Sequence, residues 1–198
     1  MVKVLRIIYT QGIRNNDICL RVLVEKNAIQ FNIKNRFTLG FLKMIKIRPA
    51  VTSDIPQLVL LLEALFFIEA DFLIDYDKQA TGLELLINSS EDCVWVAEVG
   101  GIDQVVGMCS IQTMISTAEG GLVGVVEDLI VSVEYRQQGI ATKLLSEAIR
   151  WAKEHGLKRL QLLADKNNVD ALAFYHTQNW QKTQLIGLRY VGAELLLI

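Results

Sequence analysis

The stretch Val125-Val-Glu-Asp-Leu-Ile-Val-Ser-Val-Glu-Tyr-Arg-Gln-Gln-Gly-Ile-Ala-Thr-Lys-Leu-Leu145 reads as strand, tight polar turn and helix start in succession. Val125, Val126, Leu129, Ile130, Val131 and Val133 are β-branched or aliphatic, a short run bounded by polar residues, as a buried strand requires. Two acids, Glu127 and Asp128, interrupt it. From Ile140 the apolar period becomes helical: Ile140, Leu144, Leu145, Ala148, Ile149 and Ala152 share one face, and Lys143, Glu147, Arg150 and Lys153 the other. The switch falls across residues 136–141. A glycine where a helix begins lets backbone amides approach an anion with no side chain between them. The first four amides of a helix have no internal partner and the helix dipole makes that end positive, so the turn suits a pyrophosphate, with Arg136 adding a permanent cation. An ordinary strand-to-helix turn with a surface arginine fits the same six residues.

About thirty residues on comes Asn168-Val-Asp-Ala-Leu-Ala-Phe-Tyr-His-Thr-Gln-Asn-Trp180. The two segments, in this order and spacing, resemble motifs A and B of the GNAT superfamily of acetyl-coenzyme A dependent N-acetyltransferases. Motif A requires Arg or Gln, two variable residues, Gly, one variable residue, then Gly or Ala, here Arg136, Gly139 and Ala141. Motif B commonly ends Phe-Tyr, three residues, Gly and an aromatic, here Phe174, Tyr175 and Trp180. Asn179 replaces that glycine, a mild departure because asparagine tolerates the left-handed conformation expected after a helix.

The resemblance covers Met44 to Ile198 and implies a mixed α/β fold of GNAT type. Its central sheet would have six to seven mostly antiparallel strands flanked by four helices. It implies acetyl-coenzyme A as cosubstrate, no metal, and a pyrophosphate bound by residues 136–142: Arg136, Gln137, Gln138, Gly139, Ile140, Ala141 and Thr142. Gln137 and Gln138 stand where Arg, Gly or Lys are frequent, which weakens the grip on the 3'-phosphate. Leu129, Ile130 and Val131 would pair with pantetheine as with another strand, and the amide of Leu129 or Ile130 would polarise the thioester carbonyl. Asn168 would bond the pantetheine arm, and Tyr175 would protonate the leaving thiolate. An aromatic packed over the cosubstrate is the other reading of Tyr175.

An alkylammonium with a pKa of about 10 has no lone pair at neutral pH, so acetyl transfer to it needs a base. Glu127 is the first candidate, since it aligns with the acid some family members carry here and a carboxylate on an apolar strand should have a raised pKa. A structural partner for a basic side chain is its other reading. Strand periodicity sends Asp128 to the opposite face. His155 and His176, the two histidines, lie in no serine or cysteine constellation and read as surface helix residues.

With 198 residues the chain has room for one domain with a full core and an appendage. Its 52% hydrophobic content and mean hydropathy of +0.31 suggest burial between subunits, and a homodimer is expected. No apolar run reaches the roughly 18 residues that cross a bilayer. Cys19, Cys93 and Cys109 are odd in number and lack metal-ligand spacing, which fits a reducing cytoplasm. Residues 1–43 hold eight Lys or Arg and two acids, +6, and the remainder twelve and twenty, −8. This basic N-terminal extension reads as a targeting arm, a basic tail for nucleic acid or anionic lipid, or a segment foreign to the family. The working domain then spans 44–198.

Along that domain the pattern predicts a strand at Ile45–Arg48 and a helix capped by Asp54, with Pro56 in its first turn and Gln57 at the third position. Glu69, Asp71, Asp75 and Asp77 next to Phe66, Phe67, Phe72 and Tyr76 suit either a cationic acceptor or a solvated loop. A helix over 79–88 follows, then a hairpin of 94–99 and 105–115 about Gly100–Asp103, the central strand, and a βαβ crossover from Val131 to Leu160. Gly156 stops the crossover helix. Leu160–Ala164 is a strand, 168–176 a helix, and 182–188 with 191–198 the final strand or hairpin. The function that follows is transfer of acetyl to a primary amine by direct attack in a ternary complex, a small-molecule acceptor being favoured. A non-catalytic acyl-coenzyme A sensor is the alternative from another class. A protein or aminoacyl-tRNA acceptor is a third, although a domain of −8 is poorly suited to a polyanion.

Overall fold

The computed structural model describes residues 9–14, 17–24, 27–32, 44–67, 72–100 and 103–190. The chain divides into two units, Met1–Lys43 and Met44–Ile198. In the first, β1 (Tyr9–Arg14), β2 (Asp17–Val24) and β3 (Asn27–Asn32) pair as an antiparallel meander in that order, an organisation that weak alternation in the sequence did not reveal.

In the second unit β4 (Ile45–Pro49), β5 (Cys93–Val99), β6 (Gln104–Ser116), β7 (Gly121–Val131) and β8 (Leu160–Leu162) form one sheet in that order. Pairing is antiparallel up to β7 and parallel between β7 and β8, as the crossover requires. Val105 to Ile111 is buried throughout, because helices cover both sheet faces. Over one face lie α1 (Ile55–Phe66) and α2 (Tyr76–Asn88), whose Leu58, Leu61, Leu62 and Leu83 pack with Val94, Val96, Met108 and Ile130. Over the other lies α3 (Ile140–Glu154), whose Ile140, Leu144, Ala148 and Ala152 pack with Ala97, Cys109, Ile111, Val126 and Val131. The short α4 (Val169–Thr177) follows β8.

Gly124 sets how closely β8 can approach β7. A Cβ there would come within 2.7 Å of Leu160, 2.8 Å of Leu157 and 2.9 Å of Ile111. Gly156 ends α3 in the left-handed conformation (φ 71°), as its position predicts.

Several boundaries differ from the sequence pattern for local reasons. Asp54 does not cap α1; its carboxylate turns back to the Val51 amide (2.9 Å) and to Arg48 Nη1 and Nη2 (2.7 and 3.0 Å). Gln57 makes no capping box. It accepts from the Val105 amide (2.9 Å) and donates to the Asp103 carbonyl (3.2 Å), tying α1 to the β5–β6 turn. Helix α2 starts at Tyr76 because Asp75 caps it, accepting from the Lys78 amide. Among the described residues the sheet has five strands, fewer than the six to seven expected. Residues 182–188 form no strand: β8 is three residues long, too short an edge to hold another, and Leu185, Ile186 and Leu188 stay exposed. Residues 191–198 lie outside the described residues, as do Gly101 and Ile102.

Arg48 on β4 also pairs through Nε with Glu98 on β5, so one guanidinium ties strand, neighbouring strand and helix start together. Burial pushes the Asp54 carboxyl up, but the hydrogen bonds from Arg48 and the Val51 amide more than reverse this and hold it below its ordinary value. Its contribution to stability is therefore present above the unfolded pKa of about 4 and lost as pH falls through the folded value. Arg48→Met should lower the unfolding free energy by about 3 kcal/mol at pH 7, since it strands a buried carboxylate. Urea denaturation should show that gap narrowing below pH 4; an unchanged midpoint at pH 7 would show that the network is worth nothing.

Candidate active site

Across from Ser110 on β6, strand β7 carries two residues instead of one. The ladder runs Met108↔Ile130 and Cys109↔Leu129, then resumes at Ile111↔Val126. This is a β-bulge at Glu127 and Asp128. Val126, Leu129 and Val131 all pack on the α3 side, while Ile130 packs under α1 and α2. The three-residue step from Val126 to Leu129 leaves Glu127 and Asp128 both turned toward the α1–α2 face. The alternation that would separate the two acids fails because the bulge breaks the period.

Asp128 donates its amide to Ser110 Oγ (3.1 Å), and Ser132 donates to the Val106 carbonyl (2.8 Å), so both amides point toward β6. Amides alternate along a strand, which turns that of Ile130 to β6 as well and those of Leu129 and Val131 to the opposite edge. On that edge β8 pairs only with Gly124–Val126. Beyond Val126 no ladder among the described residues covers this edge of β7. Of the two amides considered for polarising a carbonyl, Leu129 faces the open edge and Ile130 does not. The Val131 carbonyl accepts from Arg136 Nε (2.9 Å), so this arginine closes the end of the edge rather than standing alone as a cation.

The open edge leads to the start of α3. Gly139 is left-handed there (φ 73°), and a Cβ built on it would have no atom within 4 Å. No side chain caps the helix and no acid lies in its first turn. Lys143 makes an early intrahelical bond, to the Gly139 carbonyl at 3.1 Å, leaving the amides of Ile140, Ala141 and Thr142 without partners in the helix. Gln137 (φ 58°), Gln138 and Gly139 are exposed; Ile140 sends its side chain into the core. A diphosphate therefore fits: the cradle has unpaired amides, open space and a positive helix end.

Asn168 and Tyr175 belong to α4. Asn168 Oδ1 accepts from the Ala171 amide (3.1 Å) as the helix cap, which leaves its amide NH2 as the end able to donate to a ligand. Tyr175 is half-buried beside Phe174 and Trp180, with ring centroids 5.4 and 6.1 Å away. Asn179 is left-handed (φ 65°), so asparagine does fill the place of the motif B glycine.

Glu127 is exposed, so the burial expected to make it a stronger base falls instead on its neighbour. Burial pushes the Asp128 carboxyl up, the Ser110 hydrogen bond opposes this and the Glu127 charge adds to it, with the result at about 6. The Ser110–Asp128 pair is the feature the sequence pattern missed. Its one signal is a lone hydroxyl in the apolar run Val105–Ile111.

Of the described acids and aromatics between α1 and α2, several are engaged in local contacts. Asp75 caps α2, Tyr76 donates to Glu63 (2.7 Å), Phe66 stacks on Phe72, and Arg189 lies 4.7 Å over the Phe72 ring. Glu69 and Asp71 lie outside the described residues. His176 is an exposed residue of α4 and His155 the exposed residue that follows the last turn of α3. Burial pushes the Cys93 thiol up to about 12 and Cys109 further, so both are poor nucleophiles. Among the described residues no group of three His, Cys, Asp or Glu could hold a metal ion, and no helix is long and apolar enough to cross a membrane.

The profile of the acetyltransferase (GNAT) family matches residues 61–180, and the chain belongs to that family of acetyltransferases. It is 32% identical over 100 residues to an uncharacterised N-acetyltransferase of Archaeoglobus fulgidus, covering 50% of this chain and 67% of that one. It is 42% identical over 50 residues to streptothricin acetyltransferase A of Bacillus subtilis, a match limited to 25% of this chain and 29% of that one. Among solved structures it is similar to an aminoglycoside acetyltransferase from an uncultured soil metagenomic sample, in complex with trehalose. There the TM-score is 0.62 at 25% identity, over 74% of this chain and 95% of that one.

Proposed function

We propose that the protein transfers acetyl from acetyl-coenzyme A to a primary amine by direct attack in a ternary complex, with a small-molecule acceptor. The observation that carries this reading is the open edge of β7 running into the uncapped start of α3. Pantetheine would pair with Leu129 and Val131 as a further strand, and the diphosphate would sit on the amides of Ile140, Ala141 and Thr142. The Leu129 amide would hold the thioester oxygen as negative charge develops on it. Asn168 would donate to the pantetheine arm, Tyr175 would protonate the departing sulfur, and a carboxylate of the bulge would take the proton of the amine. The acidic face carrying Glu127 suits a cationic acceptor, and the streptothricin and aminoglycoside enzymes among its relatives support an amine-rich small molecule. Protonated, unbridged Cys93 and Cys109 suit a reducing cytoplasm, and exposed Leu185, Ile186 and Leu188 suit the subunit contact of a homodimer.

Calorimetry should show micromolar to submillimolar binding of acetyl-coenzyme A, and thiol release should appear with at least one member of an amine panel containing streptothricin, an aminoglycoside and spermidine. Binding without release would favour the acyl-coenzyme A sensor or a macromolecular acceptor. Absence of binding would remove the proposal.

A further inference from the structure

Ser110 is fully buried in the middle of β6 and its hydroxyl is used twice. It accepts the Asp128 amide at 3.1 Å and donates to Asp128 Oδ2 at 2.9 Å. This exchange takes the place of a ladder pair at the bulge and fixes the carboxylate from one side. Asp128 is half-buried, and Oδ1 takes no hydrogen bond from any described residue. Glu127, on the same face, is exposed and reaches solvent. Next along the strand is Leu129, whose amide faces the open edge.

We propose that Asp128, held by Ser110 in the bulge of β7, takes the proton from the attacking amine, while Glu127 at the surface holds the charge of the acceptor. This rests on the transferase reading given above. The reasons are positional. A base works best when it is oriented before substrate arrives and lies close to the reacting carbonyl; Asp128 is fixed by Ser110 and adjoins Leu129, whereas Glu127 has no buried partner to fix it. A carboxylate with a pKa of about 6 stays ionised at neutral pH and binds a proton more strongly than a solvent-exposed acid.

The charged groups near it are few. Glu127 is its neighbour on β7, and β6 presents Ser110. Over this face α1 and α2 present Leu58, Leu61, Leu62 and Leu83; their charges are Glu63, engaged by Tyr76, and the exposed Asp77, Lys78 and Glu84.

The protons balance as follows. The ammonium gives one proton to Asp128 Oδ1, and its freed lone pair forms the N–C bond as the C–S bond breaks. The sulfur leaves with the electron pair and takes the Tyr175 hydroxyl proton, which the second nitrogen proton replaces. Asp128 then releases its proton to water, and the net products are amide, thiol and one proton.

The test uses the full chain, acetyl-coenzyme A and two small acceptors, methylamine and hydroxylamine, read by thiol release across pH. Methylamine is protonated at neutral pH and needs a base; hydroxylamine is already mostly unprotonated. Asp128→Asn should lower kcat/KM about 100-fold with methylamine and less than about 3-fold with hydroxylamine, and should abolish the limb of the profile near pH 6. Ser110→Ala should move that limb to higher pH, because the hydrogen bond that opposes protonation is gone. Glu127→Gln should raise KM for methylamine and keep the limb. Equal losses with both nucleophiles would show that Asp128 is only structural, and loss of the limb in Glu127→Gln instead would transfer the role to Glu127. Either result overturns the assignment. If wild type releases no thiol with either acceptor while binding coenzyme, the transferase reading fails and takes this inference with it.

Discussion

Gly139→Asp should weaken coenzyme A binding at least 100-fold, about 3 kcal/mol, while changing thermal stability little. The two halves of this expectation have separate causes. Gly139 is left-handed, and a non-glycine residue there costs about 1 kcal/mol, though aspartate is among the side chains that tolerate it best. No atom lies within 4 Å of a Cβ at this exposed position, so the folded state bears only that backbone cost. For the ligand the change is larger, because the new carboxylate places a negative charge beside the amides a diphosphate would use. Calorimetry with coenzyme A alongside a melting curve separates the outcomes. Unchanged affinity would mean that the diphosphate lies elsewhere and the amides of α3 are simply hydrated.

Tyr175→Phe should lower kcat about 100-fold and leave the Kd for acetyl-coenzyme A within about 3-fold. The phenylalanine keeps the ring contacts with Phe174 and Trp180, so the packing of α4 survives. What disappears is the phenol hydroxyl, the group able to give a proton to a thiolate whose conjugate thiol ordinarily has a pKa of about 8.5. Without that donor the sulfur must leave as a free anion. Steady-state kinetics and equilibrium titration of the same preparation decide the matter, since an equal fall in turnover and affinity would make Tyr175 a packing residue.

Both predictions use residues already identified by local sequence. Gly139 is recognisable because a change from strand to helical period, with a glycine between, fixes where a helix starts and therefore where unpaired amides lie. Tyr175 was legible through the Phe-Tyr and Trp180 spacing of a short helix, and Asn179 through the backbone conformation that follows such a helix. The hairpin, the crossover and the four helices followed in the same way, because each depends on the side-chain pattern of one contiguous segment. The strand over 182–188 did not follow, since whether that segment pairs depends on the length of a distant edge, and β8 ends at Leu162.

The pattern of one strand led to the opposite conclusion at Glu127 and Asp128. Period-two alternation assigns successive residues to opposite faces, and nothing in residues 121–131 signals that β7 carries one residue more than β6 across from Ser110. A bulge is a property of two strands together. Their mismatch turns both acids to one face, half-buries the second and exposes the first, and selects Leu129 over Ile130 as the amide on the open edge.

By itself, then, the sequence determined the order of elements from β4 to α4 and the helix start at Gly139, which follow from periodicity and backbone preferences within short segments, and it pointed to the family through the resemblance of two motifs at their spacing. Only the tertiary structure decided which carboxylate is buried, which strand amides stay unpaired and where Arg136 is anchored. Those are set by register between segments far apart in the chain, and a linear pattern carries no register.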